Sequence, residues 1–191
     1  TRVLVTISGL PGSGTSTVAR RVAAALGHDH LDGGQVFRAL AAERGHDVHA
    51  FGAMAEADPA IDEELDRRLA ARGAAGDVVL ESRLAGWIAT HEGLDGLRVW
   101  IACTPEERAR RVAAREGSDA AVAQAENEAR EASEAQRYLT YYGIDIADMG
   151  AYDLVLDSTA TGVDDLVTAI VDAARARAGA PGRSPEGGSS G

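Results

Sequence analysis

Apolar residues in this chain fall into short continuous runs and into longer stretches with a helical period. The short runs, rich in Val, Ile and Leu, predict strands at 2–8, 78–80, 97–102 and 154–156. The longer stretches predict helices at 15–26, 35–44, 48–57, 60–72, 105–115, 119–139 and 163–178. Residues 28–32 fit a short strand or a loop. This alternation favours an α/β protein with a mostly parallel sheet and helices on both faces.

The length of 191 residues suits one domain. Residues 1–178 contain all the predicted elements and are expected to form that domain. Residues 179–191 are rich in Gly, Ser and Pro and are expected to be a disordered tail.

A glycine-rich turn lies between the first predicted strand and the first predicted helix. It reads Gly9-Leu10-Pro11-Gly12-Ser13-Gly14-Thr15-Ser16-Thr17. This placement is typical of a P-loop, in which backbone N–H groups surround the phosphates of ATP and a hydroxyl, here that of Ser16, binds Mg²⁺. The alternative is a simple strand–turn–helix corner with a helix cap.

One P-loop position departs from the usual pattern, because Thr15 stands where lysine is expected. All 19 cationic residues of the chain are arginine. Any phosphate must therefore be held by arginine, backbone N–H groups or metal, and arginine side chains from elsewhere would replace the lysine charge.

Glu81 and Arg83 directly follow the predicted strand 78–80. A carboxylate at the carboxyl end of a strand beside a P-loop could hold Mg²⁺ through water, and Arg83 would face the same cleft. The alternative is a surface loop held by salt bridges.

Two consecutive predicted helices are rich in arginine and are joined by Glu116-Gly117-Ser118. On the first, three arginines share one face by their spacing: Arg108, Arg111 and Arg115. On the second, Arg130 and Arg137 also share a face. The two helices resemble a lid that closes over transferring phosphates. The alternative is a pair of solvated helix faces.

Overall charge and hydropathy exclude several classes. The net charge is -11, so the chain lacks the excess of basic residues that is typical of proteins that bind a nucleic acid duplex. No apolar run approaches the roughly 20 residues of a membrane helix, and the lone Cys103 cannot form an intrachain disulfide, so we expect a cytoplasmic protein. The five histidines show no metal-ligand spacing and are interpreted as surface or loop residues.

Many ordered segments resemble the archaeal-type cytidylate kinases, from Thr6 to about Ala173. That family commonly has threonine in place of the P-loop lysine, so Gly9–Thr17 looks like its normal form. Further similar segments are 36–38, 51 with 55–56, 58–62, 65–68, 78–87, 105–109, 130–133, 137–138, 142–145 and 152–158.

The resemblance implies the nucleoside monophosphate kinase fold: a P-loop NTPase with a five-stranded parallel sheet, a lid and a helical arm that binds the monophosphate. Gly9–Thr17 would bind ATP. Arg38 and Arg83 would bind the acceptor phosphate, and Arg130 and Arg137 would act from the lid. Asp32 departs from the family pattern and could accept a hydrogen bond from a modified base or a sugar hydroxyl of the acceptor.

Three functions are compatible with these patterns. The first is an ATP-dependent CMP or dCMP kinase that uses Mg²⁺, with Glu81, Arg130 and Arg137 as catalytic residues. The second is a kinase for a modified cytidylate or another small acceptor. The third is a nucleotide-binding module without turnover, suggested by the missing lysine. The sequence leaves the oligomeric state open.

Overall fold

A five-stranded parallel sheet forms the centre of the protein. The structure is a computed structural model and describes residues 3–179, apart from the side chains of His49 and Arg130. The strands are β1 (Leu4–Gly9), β2 (Asp29–Asp32), β3 (Val78–Glu81), β4 (Gly96–Ala102) and β5 (Leu154–Asp157). Their order is β2-β3-β1-β4-β5, and all neighbouring strands are parallel. The predicted five-stranded parallel sheet is confirmed, and the predicted tail at 179–191 falls almost wholly outside the described residues.

Eight α-helices connect and flank these strands within residues 3–179. They are α1 (Thr15–Leu26), α2 (Gly33–Glu43), α3 (Val48–Ala57), α4 (Pro59–Ala74), α5 (Ala85–His91), α6 (Pro105–Glu116), α7 (Ala120–Tyr142) and α8 (Val163–Gly179). The sequence patterns predicted all of them except α5. This helix is short and largely buried, so it lacks the one-sided apolar period that identifies a surface helix.

The two faces of the sheet pack against different helices. Val5 and Ile7 of β1 belong to a core formed with α1 and α8. Leu4, one position earlier, packs on the opposite face with Ala85 and Ala89 of α5. This alternation along β1 follows from the two-residue period of a strand, and it confirms helices on both faces.

Helices α2, α3 and α4 form an arm with its own apolar core. Phe51 is fully buried there and packs with Leu40 and Ile61. On the surface of the arm, Arg68 binds Glu43 of α2 and Glu64 within α4. The arm therefore has internal contacts that hold its three helices together as one wall of a cleft.

The carboxyl ends of three neighbouring strands meet at one edge of the sheet. Glu81 at the end of β3 is in register with Ile7 of β1 and with Asp32 of β2. The turn that follows β1 lies at this edge, which is where ligands bind in open α/β sheets. In the described part of the chain, no helix has both the length and the apolar character needed to cross a bilayer.

Candidate active site

Two glycines give the P-loop its shape. Gly12 and Gly14 have φ of 85° and 88°, in the left-handed region that favours glycine. A Cβ atom at Gly12 would lie 2.6 Å from the carbonyl oxygen of Arg108. At Gly14, which precedes α1, the nearest atom to such a Cβ is Nη1 of Arg111 at 3.8 Å. Gly12 therefore allows close packing, and Gly14 keeps the amino end of α1 accessible.

Hydrogen bonds within the protein hold the loop in this conformation. The backbone N–H of Ser13 donates to the carbonyl of Leu10 at 3.1 Å, and the Ser13 hydroxyl donates to the same carbonyl at 2.6 Å. The Ser158 hydroxyl donates to the Ser13 carbonyl at 2.8 Å. Among the side chains that the structure describes, none caps the amino end of α1. Its first N–H groups therefore remain available to an anion.

Glu81 lies at the floor of the site and is 7% exposed. Its Oε1 accepts hydrogen bonds from the hydroxyls of Thr15, at 3.1 Å, and Ser16. The structure thus brings together the two predicted metal ligands, Ser16 and Glu81. Their donor set is oxygen only, and Mg²⁺ typically takes one or two protein oxygens together with waters and phosphates. The residues present fit that ion.

His30 is a site residue that sequence analysis missed. Its Nε2 lies 2.9 Å from Oε2 of Glu81, and its side chain is mostly buried. The interpretation of all five histidines as surface or loop residues is therefore wrong for His30. The missing information was the pairing of β2 with β3, which places His30 beside Glu81.

Two cavities meet at the end of β3. The smaller, of about 200 Å³, is lined by P-loop residues, Glu81 and Arg83. The larger, of about 380 Å³, lies between the arm, the end of β3 and α7, and we call it the acceptor cavity. Arg83 lines both cavities. Its Nη2 lies 3.3 Å from Glu134, and its Nη1 is buried with no hydrogen-bond partner in the part of the chain that the structure describes.

Asp32 and Arg38 lie at the margin of the acceptor cavity. The Asp32 carboxylate accepts a hydrogen bond from the Gly34 N–H at 2.8 Å and so caps α2. It also lies 3.7 Å from Arg38, whose side chain is 55% exposed. Gly33 and Gly34, rather than Asp32, line the cavity. This geometry gives Asp32 a local role in capping α2 and placing Arg38, while its contact with the acceptor stays a prediction.

Arg137 of α7 lies in the wall of the acceptor cavity. Its side chain is only 24% exposed, and its Nε lies 3.6 Å from Oδ2 of Asp62. Arg137 therefore does not lie on a solvated helix face, because the adjacent Tyr138 is buried against Leu69 and Leu84, and its catalytic role stays a prediction. Arg130 lies on the same helix, but its side chain is outside the described residues.

Arg108 and Arg111 of α6 contact the P-loop directly. Arg108 is buried, forms a two-pronged ion pair with Glu131 of α7, and donates to the carbonyl of Pro11 at 3.2 Å. Arg111 donates to the Gly12 carbonyl at 3.4 Å and to the Ser158 carbonyl at 2.7 Å. Two of the three arginines predicted to share a face of α6 thus contact the P-loop, and Arg108 also contacts α7, whereas Arg115 is exposed and pairs with Glu116.

A P-loop beside a buried carboxylate, with a second cavity next to it, defines a P-loop phosphotransferase. The chain belongs to the cytidylate kinase-like family, whose model matches residues 4–160. A cytidylate kinase of Halobacterium salinarum is 48% identical over 173 residues, covering 90% of this chain and 88% of that protein. One from Methanopyrus kandleri is 45% identical over 170 residues, covering 85% and 88%.

A solved structure has the same fold at low sequence identity. The shikimate kinase of Bacteroides thetaiotaomicron superimposes with a TM-score of 0.60 at 12% identity, over 91% of this chain and 98% of that one. The predicted P-loop NTPase fold is therefore confirmed.

Proposed function

We propose that the protein transfers the γ-phosphoryl group of ATP to the phosphate of CMP or dCMP. An oxygen of the acceptor phosphate attacks the γ-phosphorus, the bond to the β–γ bridging oxygen breaks, and ADP leaves as CDP or dCDP forms. The observation that carries this proposal is that Arg83 lines both the P-loop cavity and the acceptor cavity. The close similarity to cytidylate kinases supports cytidylate as the acceptor.

The P-loop would bind the phosphates of ATP through the backbone N–H groups of Gly9–Thr17. Thr15 cannot supply the usual lysine charge, and its hydroxyl bonds to Glu81 instead. We assign the replacement charge to Arg111, whose guanidinium lies beside Gly14 at the amino end of α1. Arg111 is paired with Glu107 through its Nε, whereas its Nη1 is the atom nearest to Gly14. Arg108 is less suited, because its side chain is buried and both of its terminal nitrogens bind Glu131.

Ser16 and Glu81 would hold Mg²⁺, with Glu81 acting through water. When bound, the ion supplies positive charge that offsets the charge of the transferring phosphoryl group. The protein's own contribution is to fix the carboxylate of Glu81, which His30 and Thr15 contact from two sides.

Arg83 and Arg38 would bind the acceptor phosphate. Arg83 lies where the two cavities meet and has a buried N–H with no partner among residues 3–179. Arg38 lies at the margin of the acceptor cavity, and its side chain is half exposed. Both side chains orient the attacking oxygen and partly neutralise its charge. Arg130 remains a proposed catalytic arginine. The position of Arg137 in the acceptor cavity favours substrate binding over the catalytic role predicted for it.

A panel of nucleoside monophosphates tests the function. ADP formation is measured with CMP, dCMP, UMP, AMP and a base-modified cytidylate. We expect the highest kcat/KM with CMP or dCMP. A clear preference for the modified cytidylate would favour the biosynthetic alternative, and ATP binding without ADP formation for any acceptor would favour a non-catalytic module. A cytoplasmic location and the lack of a nucleic-acid partner remain predictions.

A further inference from the structure

A buried serine links the P-loop to Arg111. Ser158 directly follows β5 and is 4% exposed. Its hydroxyl donates to the carbonyl of Ser13 at 2.8 Å and accepts from Nη1 of Arg111 at 3.2 Å. Its own carbonyl accepts from Nη2 of the same arginine at 2.7 Å. One residue, far from both partners in the sequence, therefore contacts the loop backbone and the guanidinium at the same time.

The sheet fixes the position of Ser158. Its backbone N–H donates to the carbonyl of Ala102 at the end of β4, at 2.8 Å. Strand β4 is itself paired with β1 as far as Gly9, the first residue of the P-loop. Ser158 thus lies at the same hydrogen-bonded sheet edge as the start of the loop, and it is a fixed point against which the longer Arg111 side chain is placed.

Arg111 needs such a fixed point, because its ion-pair partner lies on its own helix. Its Nε donates to Glu107 of α6 at 2.8 Å, and Arg110 binds the same carboxylate. The terminal nitrogens are held mainly by Ser158, since the carbonyl of Gly12 accepts from Nη1 at the longer distance of 3.4 Å. Ordering a long arginine side chain costs conformational entropy. The contacts with Ser158 order it before ATP binds, which favours binding.

The charge of Arg111 lies close to the position where the loop lacks lysine. Its Nη1 would lie 3.8 Å from a Cβ atom at Gly14, and the same nitrogen donates to the Ser158 hydroxyl. Thr15, the next residue of the loop, uses its hydroxyl to bind Glu81. A guanidinium held beside the amino end of α1 adds its positive charge to that of the helix dipole, and both attract phosphate.

We propose that Ser158 is a positioning residue for the phosphate donor, which holds Arg111 and the carbonyl of Ser13 in the arrangement that binds the phosphates of ATP. This inference rests on the ATP site of the proposed function. It deepens that function by naming the residue through which a P-loop without lysine keeps its substitute charge in place. Such a role differs from a purely structural one, because the effect of Ser158 on ATP binding passes through Arg111.

Two single substitutions measure the contribution of the hydroxyl. Ser158→Ala removes the hydroxyl and keeps the backbone carbonyl that binds Arg111. We expect it to weaken ATP binding, measured by calorimetry, by about five- to tenfold, because the hydrogen bonds of the hydroxyl to Ser13 and Arg111 are lost. Thr159→Ala is the matched control. It removes the neighbouring hydroxyl, which accepts from the N–H of Thr104 outside the P-loop, and it should leave the affinity for ATP unchanged.

Double substitutions separate the positioning role from a general loosening of the site. In the Arg111→Ala background, Ser158→Ala should cost little further affinity for ATP, because the side chain that it positions is gone. In the Thr15→Lys background, the cost of Ser158→Ala should also shrink, because the lysine supplies positive charge without help from β5. A residue that only stabilised the fold would cost the same in every background.

The outcomes distinguish this inference from the proposed function. Smaller losses in both backgrounds than in the unsubstituted protein would support the positioning role. An unchanged affinity for ATP in Ser158→Ala, or an equal loss in all three backgrounds, would overturn that role alone. Calorimetry with ATP needs no acceptor, so lack of turnover with CMP and dCMP would overturn the proposed acceptor without affecting this result. Absence of ATP binding by the unsubstituted protein would overturn both.

Discussion

His30 and Glu81 form a buried hydrogen bond of 2.9 Å between neighbouring parallel strands. The other oxygen of Glu81 accepts from the hydroxyls of Thr15 and Ser16. The carboxylate is therefore fixed from both sides, and its orientation toward the P-loop depends on a residue of β2 that lies outside the loop itself.

Replacement of His30 should weaken the response of the enzyme to magnesium. We expect His30→Phe to raise the Mg²⁺ concentration for half-maximal activity by about 10–100-fold, because loss of a residue that orients a metal ligand has effects of this size. His30→Gln, which keeps a donor, should recover much of the loss. His91→Gln, on the exposed end of α5, is the matched control and should behave normally. Equal magnesium dependence of His30→Phe and the unsubstituted protein would contradict the role of His30.

Replacement of Gly14 should abolish ATP binding. Gly14→Val would place a side chain where the amino end of α1 receives phosphate and would strain a left-handed backbone. Gly27→Val is the matched control, since Gly27 ends the same helix with φ of 68° and a Cβ there would meet nothing within 4 Å. Calorimetry should show lost ATP affinity only for Gly14→Val. Equal affinities in the two folded variants would reject the P-loop assignment.

Arg111 should supply the charge that the missing lysine would provide. We expect Arg111→Ala to raise the KM for ATP by about 10–100-fold, corresponding to a lost charged hydrogen bond of about 1.5–3 kcal/mol. Adding Thr15→Lys to this variant should restore part of the affinity. Arg110 is exposed and pairs with Glu107, as Arg111 does. Arg110→Ala is therefore the matched control and should change the KM for ATP little. An unchanged KM for ATP in Arg111→Ala would show that the charge comes from elsewhere.

Asp66 should make the protein less stable at alkaline pH. Burial, with smaller contributions from Asp62, Glu63 and Glu92, raises the pKa of Asp66 from 3.8 to about 7. Between pH 4 and 7, Asp66 keeps its proton in the folded protein but loses it in the unfolded chain. The contribution of Asp66 to the free energy of unfolding therefore falls as the pH rises through this range, and it is least favourable above about pH 7.

Asp66→Asn removes this charge and should stabilise the protein at pH 8. We expect the free energy of unfolding to rise by on the order of 1 kcal/mol, or about 2–4 °C in Tm. At pH 5 the difference from the unsubstituted protein should be smaller. Thermal unfolding at both pH values measures the increase in Tm that Asp66→Asn causes. A larger increase at pH 5 than at pH 8 would contradict the raised pKa of Asp66.

The sequence by itself determined the fold class and the P-loop. The strand and helix periods, the glycine positions and the segments similar to cytidylate kinases are local patterns. They predicted the parallel sheet, seven of the eight helices in residues 3–179, and the P-loop motif Gly9–Thr17. These features depend on backbone preferences and burial periods within a few residues. The structure confirmed them for that reason.

Tertiary structure decided which distant side chains meet. The His30–Glu81 contact requires the register of β2 on β3, and the Asp62–Arg137 pair requires α4 to face α7. The helical spacing alone placed Arg137 on a predicted lid. In the structure, Tyr138 is buried, and the adjacent Arg137 lines the acceptor cavity. Spacing along a helix defines only which residues share a face. Packing against elements far away in the sequence decides what that face contacts.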